Sequence, residues 1–126
     1  MMWLAIALGG AVGSVLRYAV ALVMQNVSVD FPYGTLTINV TGSLVLGFLT
    51  RFLLPTTVSP ELRAALTIGV CGGYTTFSTF SYEAAALMEG GHVGRAAIYA
   101  VLSAVLSVGA MFAGFALARA ALVALR

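Results

Sequence analysis

Gly72-Gly73-Tyr74-Thr75-Thr76-Phe77-Ser78-Thr79-Phe80-Ser81 interrupts a long apolar run, Ala64 to Met88. Paired glycines cost about 2 kcal/mol of helix propensity relative to paired alanines, and serine and threonine offer the backbone competing hydrogen bonds. In hydrocarbon, broken backbone survives only when it is buried in protein or lines a wet cavity. The stretch therefore predicts a discontinuous transmembrane helix, broken near its middle at an ion or substrate site. Gly72 and Gly73 are expected to make the unwound conformation cheap.

Composition sets the class. Of 126 residues, 61% are hydrophobic and 8% charged, with mean hydropathy +1.05. Six arginines and four acids could not cover the surface of so small a soluble domain. At about 20 residues per crossing, the length allows roughly four helices and little else. The chain reads as one all-α integral membrane domain, 1–126, with spans near 2–24, 35–54, 62–88 and 95–125. The lipid bilayer is its first expected partner.

Other classes lose their footing. The net charge of +2 comes from scattered arginines, with no lysine, so no nucleic-acid footprint is present. Cys71 is the single cysteine, which removes an intramolecular disulfide, a redox pair and a cysteine zinc site. His92 stands alone in a predicted loop. No nucleophile, base and orienting group occur together, so the chain is not read as an enzyme. The first apolar run lacks a basic start and outlasts a signal peptide.

Along the chain, the first span carries Gly9-x-x-x-Gly13 on one face, a spacing that permits close helix approach. Arg17 lies within it, either snorkelling to the headgroups or held as a functional buried charge. In the second span Thr35, Asn39 and Ser43 step by four, and in the last span Tyr99, Ser103 and Ser107 do the same. Each set lies along one stripe of its helix, as helix-to-helix hydrogen bonding or as the lining of a pathway. Glu83, just after the broken stretch, has three readings: a partner for Arg17 from another helix, a cap on an aqueous vestibule, or an interfacial acid. All three prolines, Pro32, Pro55 and Pro60, fall in expected loops.

The predicted interior offers hydroxyl and amide donors and aromatic edges but few charges. A cation path would show acidic rings or a carbonyl filter, and a proton-coupled drug carrier a carboxylate deep in a binding helix. The first two spans contain no acid. Asn39, Ser78, Thr79 and the serine ladder, with the positive edges of Phe77 and Phe80, suit a small anion. Arg17 would add positive potential at a vestibule.

Three segments carry a resemblance: Gly9 to Tyr18, Pro32 to Ser43, and Gly72 to Ser81 with Glu83. In order and along the whole chain they resemble the Fluc (CrcB) fluoride channels of microbes. The resemblance implies an antiparallel, dual-topology homodimer in the cytoplasmic membrane with two pores that export fluoride passively and protect the cell from it. It implies aromatic boxes at Phe77 and Phe80, a fluoride donor at Asn39, and polar rungs at Ser78, Thr79, Tyr99, Ser103 and Ser107. It further places Arg17 in a vestibule and a structural sodium ion on the backbone carbonyls of Gly72 and Thr75 of both subunits.

The alternatives are a small multidrug-type proton-coupled transporter, disfavoured by the acid-free first span, and a noncatalytic membrane assembly subunit. With a cytoplasmic amino terminus, that side gains Arg51, Arg63, Arg119 and Arg126, while the other has Arg95 and Arg17. The count leans towards that orientation. Dual topology therefore rests on the resemblance.

Overall fold

The computed structural model describes residues 1–125; Arg126, counted in the charge balance above, lies outside the described residues. The elements are α1 (Met2–Met24), α2 (Tyr33–Phe52), α3 (Pro60–Ala64), a π-helical segment (Ala65–Cys71), α4 (Gly72–Tyr74), α5 (Phe77–Glu89) and α6 (Val93–Ala124). No strand occurs among the described residues. The pieces from α3 to α5 form one path across the molecule, broken at Thr75 and Thr76. Two helices, α1 and α6, are long and apolar enough to cross a membrane, with mean hydropathy 1.8 and 2.1 in their most apolar windows. At 20 residues α2 rises about 30 Å, the thickness of a bilayer core.

Local chemistry moves three starts earlier than the sequence predicts. Ser28 Oγ accepts the Gly34 N–H at 2.9 Å, and Pro32 O takes the Leu36 N–H at 3.2 Å, so α2 begins at Tyr33 rather than Thr35. Ser59 caps α3 by accepting the Leu62 N–H at 3.3 Å. Pro60 is then the first helical residue and not a loop residue, because its missing N–H is one that a helix start leaves unpaired. His92 O accepts the Ala96 N–H at 3.0 Å, which starts α6 at Val93.

Two pairs of elements make the core. α1 lies against the π-helical segment and α4, and α2 lies along α6. Glycines decide how close each pair comes. A Cβ at Gly9 would overlap the Ala65 carbonyl, and one at Gly13 the Val70 carbonyl. Gly73 abuts the Gly10 backbone from the other side. The Gly9-x-x-x-Gly13 face thus does what its spacing predicts. Between α2 and α6, Gly47 meets the Met111 carbonyl and Gly114 the Leu44 carbonyl.

A substitution pair tests this packing. Gly13→Val is expected to lower stability by about 1–3 kcal/mol, the usual cost of forcing extra methyls into a packed contact. Gly109→Ala, where an added Cβ meets nothing within 4 Å, is expected to be neutral or up to about 1 kcal/mol stabilising. Thermal unfolding of the detergent-solubilised protein measures both.

The break differs from the expectation in its cause. Gly72 is helical, with φ −67° and ψ −37°. Departure from helix falls on Thr75 (φ −76°, ψ 158°) and Thr76 (φ −152°, ψ 117°), in extended conformations open to any residue. The paired glycines therefore do not supply backbone freedom. Gly73 supplies room for α1, and side chains hold the break open.

Candidate functional site

The threonine at the break is its hub. Thr76 is buried, and its backbone is matched on both sides by one side chain from α2. The Thr76 N–H donates to Asn39 Oδ1 at 2.8 Å, and Asn39 Nδ2 donates to Thr76 O at 3.0 Å. An N–H requires an acceptor and a carbonyl requires a donor, so this pairing fixes the orientation of the amide. Asn39 replaces two bonds that a continuous helix would have made within itself.

Thr76 also caps α5. Its Oγ1 accepts the Thr79 N–H at 3.1 Å and donates to Thr79 Oγ1 at 3.0 Å, with Ser78 Oγ 3.2 Å away. The sequence reading singles out Ser78 and Thr79 but not Thr76. The missed signal is a threonine three residues before a hydroxyl at the head of a helix, the usual grammar of an N-cap.

The two stepped ladders lie side by side in register. Thr35 and Tyr99 meet at one carboxylate: Thr35 Oγ1 donates to Glu83 Oε1 at 2.8 Å and Tyr99 OH to Glu83 Oε2 at 2.6 Å. One step on, Asn39, Ser43, Ser103 and Ser107 line a single cavity of about 340 Å³ with Phe77 and Phe80. Further along, Gly47 touches Met111, and the Arg51 guanidinium stands 5.9 Å from the Phe115 ring centre. α2 and α6 thus run the same way, matched at four-residue steps from 35 and 99 to 51 and 115. The stripes read separately from the sequence converge into one wall.

That wall ends on aromatic rings. The Phe80 centroid is 5.4 Å from Phe77 and 5.1 Å from Tyr99. Tyr99 has no exposed surface, whereas Phe77 is 78% exposed. Ser78 and Thr79 also face outward and are not part of the cavity wall. Within it, Ser103 Oγ is buried with no hydrogen-bond partner. An orphaned hydroxyl beside a cavity is an unspent donor. Asn39 keeps one Nδ2 hydrogen after serving Thr76 O.

Of the three readings of Glu83, the pairing with Arg17 is not what the structure holds. Glu83 is bound by Thr35 and Tyr99, while the half-buried Arg17 directs Nη1 to Thr75 O at 3.5 Å. The two charges bind separate partners, Arg17 the break itself and Glu83 the ladder helices. Glu83 also borders a second cavity of about 260 Å³ with Asp30, Tyr82 and His92.

Comparison with known proteins places this geometry in a family. The family model for CrcB-like protein, Camphor Resistance (CrcB), matches residues 4–115. A protein named Fluoride-specific ion channel FluC from Rhizobium meliloti (strain 1021) is 53% identical over 114 residues, covering 89% of this chain and 91% of its own. One of the same name from Thermus thermophilus is 46% identical over 116 residues, covering 91% and 93%. Another from Nitrobacter winogradskyi is 48% identical over 118 residues, covering 92% and 94%. The matched stretch runs from α1 through the break and both polar ladders, and on that extent the chain belongs to the CrcB-like family of membrane proteins.

Proposed function

We propose that this chain is a fluoride-selective ion channel of the cell membrane, which lets fluoride leave the cell passively and so protects it. The observation that carries the reading is the cavity between α2, α5 and α6. Its wall combines the unpartnered Ser103 hydroxyl, Ser107, a spare Asn39 N–H and the rings of Phe77 and Phe80. Fluoride gives up tightly held water on entering a bilayer. Donors spaced one helical turn apart replace that water in succession, and many weak sites favour transit over capture. Ring edges carry positive charge and donate without titrating. The names of the relatives point to the same ion. On this reading Phe77, Phe80, Asn39, Ser103 and Ser107 form the path, Tyr99 with Glu83 stands at one end of it, and the chain transports rather than catalyses.

The chain crosses the membrane four times on this reading and works as an antiparallel, dual-topology homodimer. Support comes from the face that a single chain leaves open. Phe77, Ser78, Thr79 and Gly72 all face outward at the break, and hydroxyls and bare backbone there are costly against lipid. A second copy, inverted, would bring the same residues to cover them.

A structural sodium ion fits this face. The Thr76 N–H that would close onto Gly72 O in a continuous helix goes to Asn39, which leaves the Gly72 carbonyl without that donor. Neutral oxygens in this state suit a hard monovalent cation. Thr75 O is shared with Arg17 at 3.5 Å, a bond at the long limit that leaves a lone pair. Gly72 and Thr75 carbonyls from two copies would hold the ion, whose charge would offset the cost of an anion in low dielectric. Replacing sodium with N-methylglucamine is then expected to lower the thermal stability of the purified dimer. An unchanged melt would remove the ion from the proposal.

The deciding experiment is efflux from liposomes, read with a fluoride electrode beside a chloride control and with a potassium ionophore to dissipate charge. Rapid fluoride release with little chloride release is expected. No fluoride release from correctly incorporated dimer overturns the reading.

A further inference from the structure

The end of the molecule where α2 and α6 terminate carries a pair of arginines that the channel reading does not use. Arg51 lies in the last turn of α2, exposed, with its guanidinium 5.9 Å from the Phe115 ring centre. Arg119 lies one turn beyond Phe115 on α6, on the same stripe and also exposed. Because α2 and α6 run the same way, the two arginines lie at one end of the molecule, Arg51 beside the Phe115 ring and Arg119 one turn beyond it along α6.

Neither is paired with a carboxylate among the described residues, where the single ion pair is Arg95 with Asp30 at 3.9 Å. The chain has four acids, and none is placed to serve. Asp30 and Glu89 sit at the opposite end of these helices, Glu83 is bound by Thr35 and Tyr99, and Glu61 is on α3, which packs on α1.

Helix dipoles account for only half of this. Arg51 offsets the partial charge at the end of α2, but Arg119 lies more than a turn inside the end of α6 at Ala124. Around the pair, Phe48 stacks on Phe52, the last residue of α2, at 5.1 Å, and towards the middle of α6 Phe112 meets Phe115 at 5.9 Å. The arrangement is two cations, unpaired among the described residues, above partly exposed aromatic rings at the end of two apolar helices, where a membrane helix would meet the headgroups.

We propose that Arg51 and Arg119 form a seat for the phosphate of an anionic phospholipid, with its acyl chains lying along the phenylalanines of α2 and α6. Two planar guanidinium groups match phosphate oxygens better than ammonium groups do. A zwitterionic lipid brings its own cation to the same rim and is the poorer occupant. An inverted second copy of this chain is the other source of negative charge, from Glu89, since its Asp30 is engaged by Arg95. Phe112, 64% exposed on α6 below Arg119, favours a lipid. The inference requires only that the chain is a membrane protein and does not depend on which ion it conducts.

Native mass spectrometry of the purified protein, delipidated and incubated with equimolar phosphatidylglycerol and phosphatidylcholine, tests it. At roughly fivefold per arginine near an anionic surface, the wild type is expected to retain phosphatidylglycerol about 30-fold over phosphatidylcholine. Arg51→Gln with Arg119→Gln removes the preference, Arg51→Lys with Arg119→Lys keeps part of it, and Arg95→Gln at the other end keeps it whole. Size-exclusion chromatography confirms that each variant is folded. Equal retention of the two lipids by wild type, or a loss in Arg95→Gln equal to that of the double variant, overturns the seat. A double variant that loses dimer while its lipid preference stands assigns the arginines to a partner's carboxylate instead, and also overturns it.

Discussion

Asn39→Leu unfolds the break between α4 and α5, whereas Asn39→Asp leaves it folded and closes the adjoining cavity to an anion. The first outcome follows from Thr76, whose buried N–H and C=O have Asn39 as their partner. Leucine satisfies neither group. Two orphaned backbone groups cost about 1–3 kcal/mol each, or roughly 2–6 kcal/mol together. That is a large part of a stability of about 5–15 kcal/mol. Aspartate keeps the acceptor for the Thr76 N–H and loses the donor to Thr76 O. It costs less in stability but sets a negative charge in the cavity wall. At contact distance and an effective dielectric near 20, like charges repel by about 4 kcal/mol, so fluoride efflux is expected to fall on the order of a hundredfold or more. Melting curves and liposome flux separate the two effects. Wild-type flux in Asn39→Asp would remove Asn39 from the path, and a wild-type melt in Asn39→Leu would remove it from the break.

The double role of Asn39 shows where sequence reading stops. Hydropathy and proline placement locate the helices to within two residues, because hydrocarbon thickness and turn chemistry act locally. The four-residue steps of Thr35-Asn39-Ser43 and Tyr99-Ser103-Ser107 are legible for the same reason, since a stripe is a property of one helix. Their register against each other is not. It depends on Gly47 against Met111 and Gly114 against Leu44, contacts between residues more than sixty positions apart. The paired glycines read as the cause of the break because their propensity is poor in any helix. Tertiary packing gives them a different use, since Gly73 admits the Gly10 backbone while its own helix stays wound. The π-helical turn over Ala65–Cys71 leaves no mark in the sequence, because the shift from four-residue to five-residue bonding needs no special residue. Arg17 and Glu83 look like partners as opposite charges in spans short of charge. Each instead finds neutral partners nearer its own depth.

Those neutral partners make Glu83 the second position where a single change has a large effect. Its carboxylate accepts from Thr35 at 2.8 Å and from Tyr99 at 2.6 Å, and so ties α5 to both ladder helices. Tyr99 is wholly buried and Thr35 nearly so, so neither hydroxyl has water to turn to. Glu83→Ala leaves two orphaned hydroxyls at about 1–3 kcal/mol each and frees α5 from α2 and α6. Glu83→Gln retains an acceptor oxygen, and its amide N–H groups donate to whichever hydroxyl turns its lone pair inward. It is expected to lie within about 1 kcal/mol of wild type, the difference between a charged and a neutral acceptor. The alanine variant should therefore melt well below the glutamine variant, and its fluoride flux should be lost with the register of Phe77 and Phe80, which α5 carries. Equal melting of the two would mean that water reaches Thr35 and Tyr99. The carboxylate would then merely border its cavity rather than tie α5 to α2 and α6.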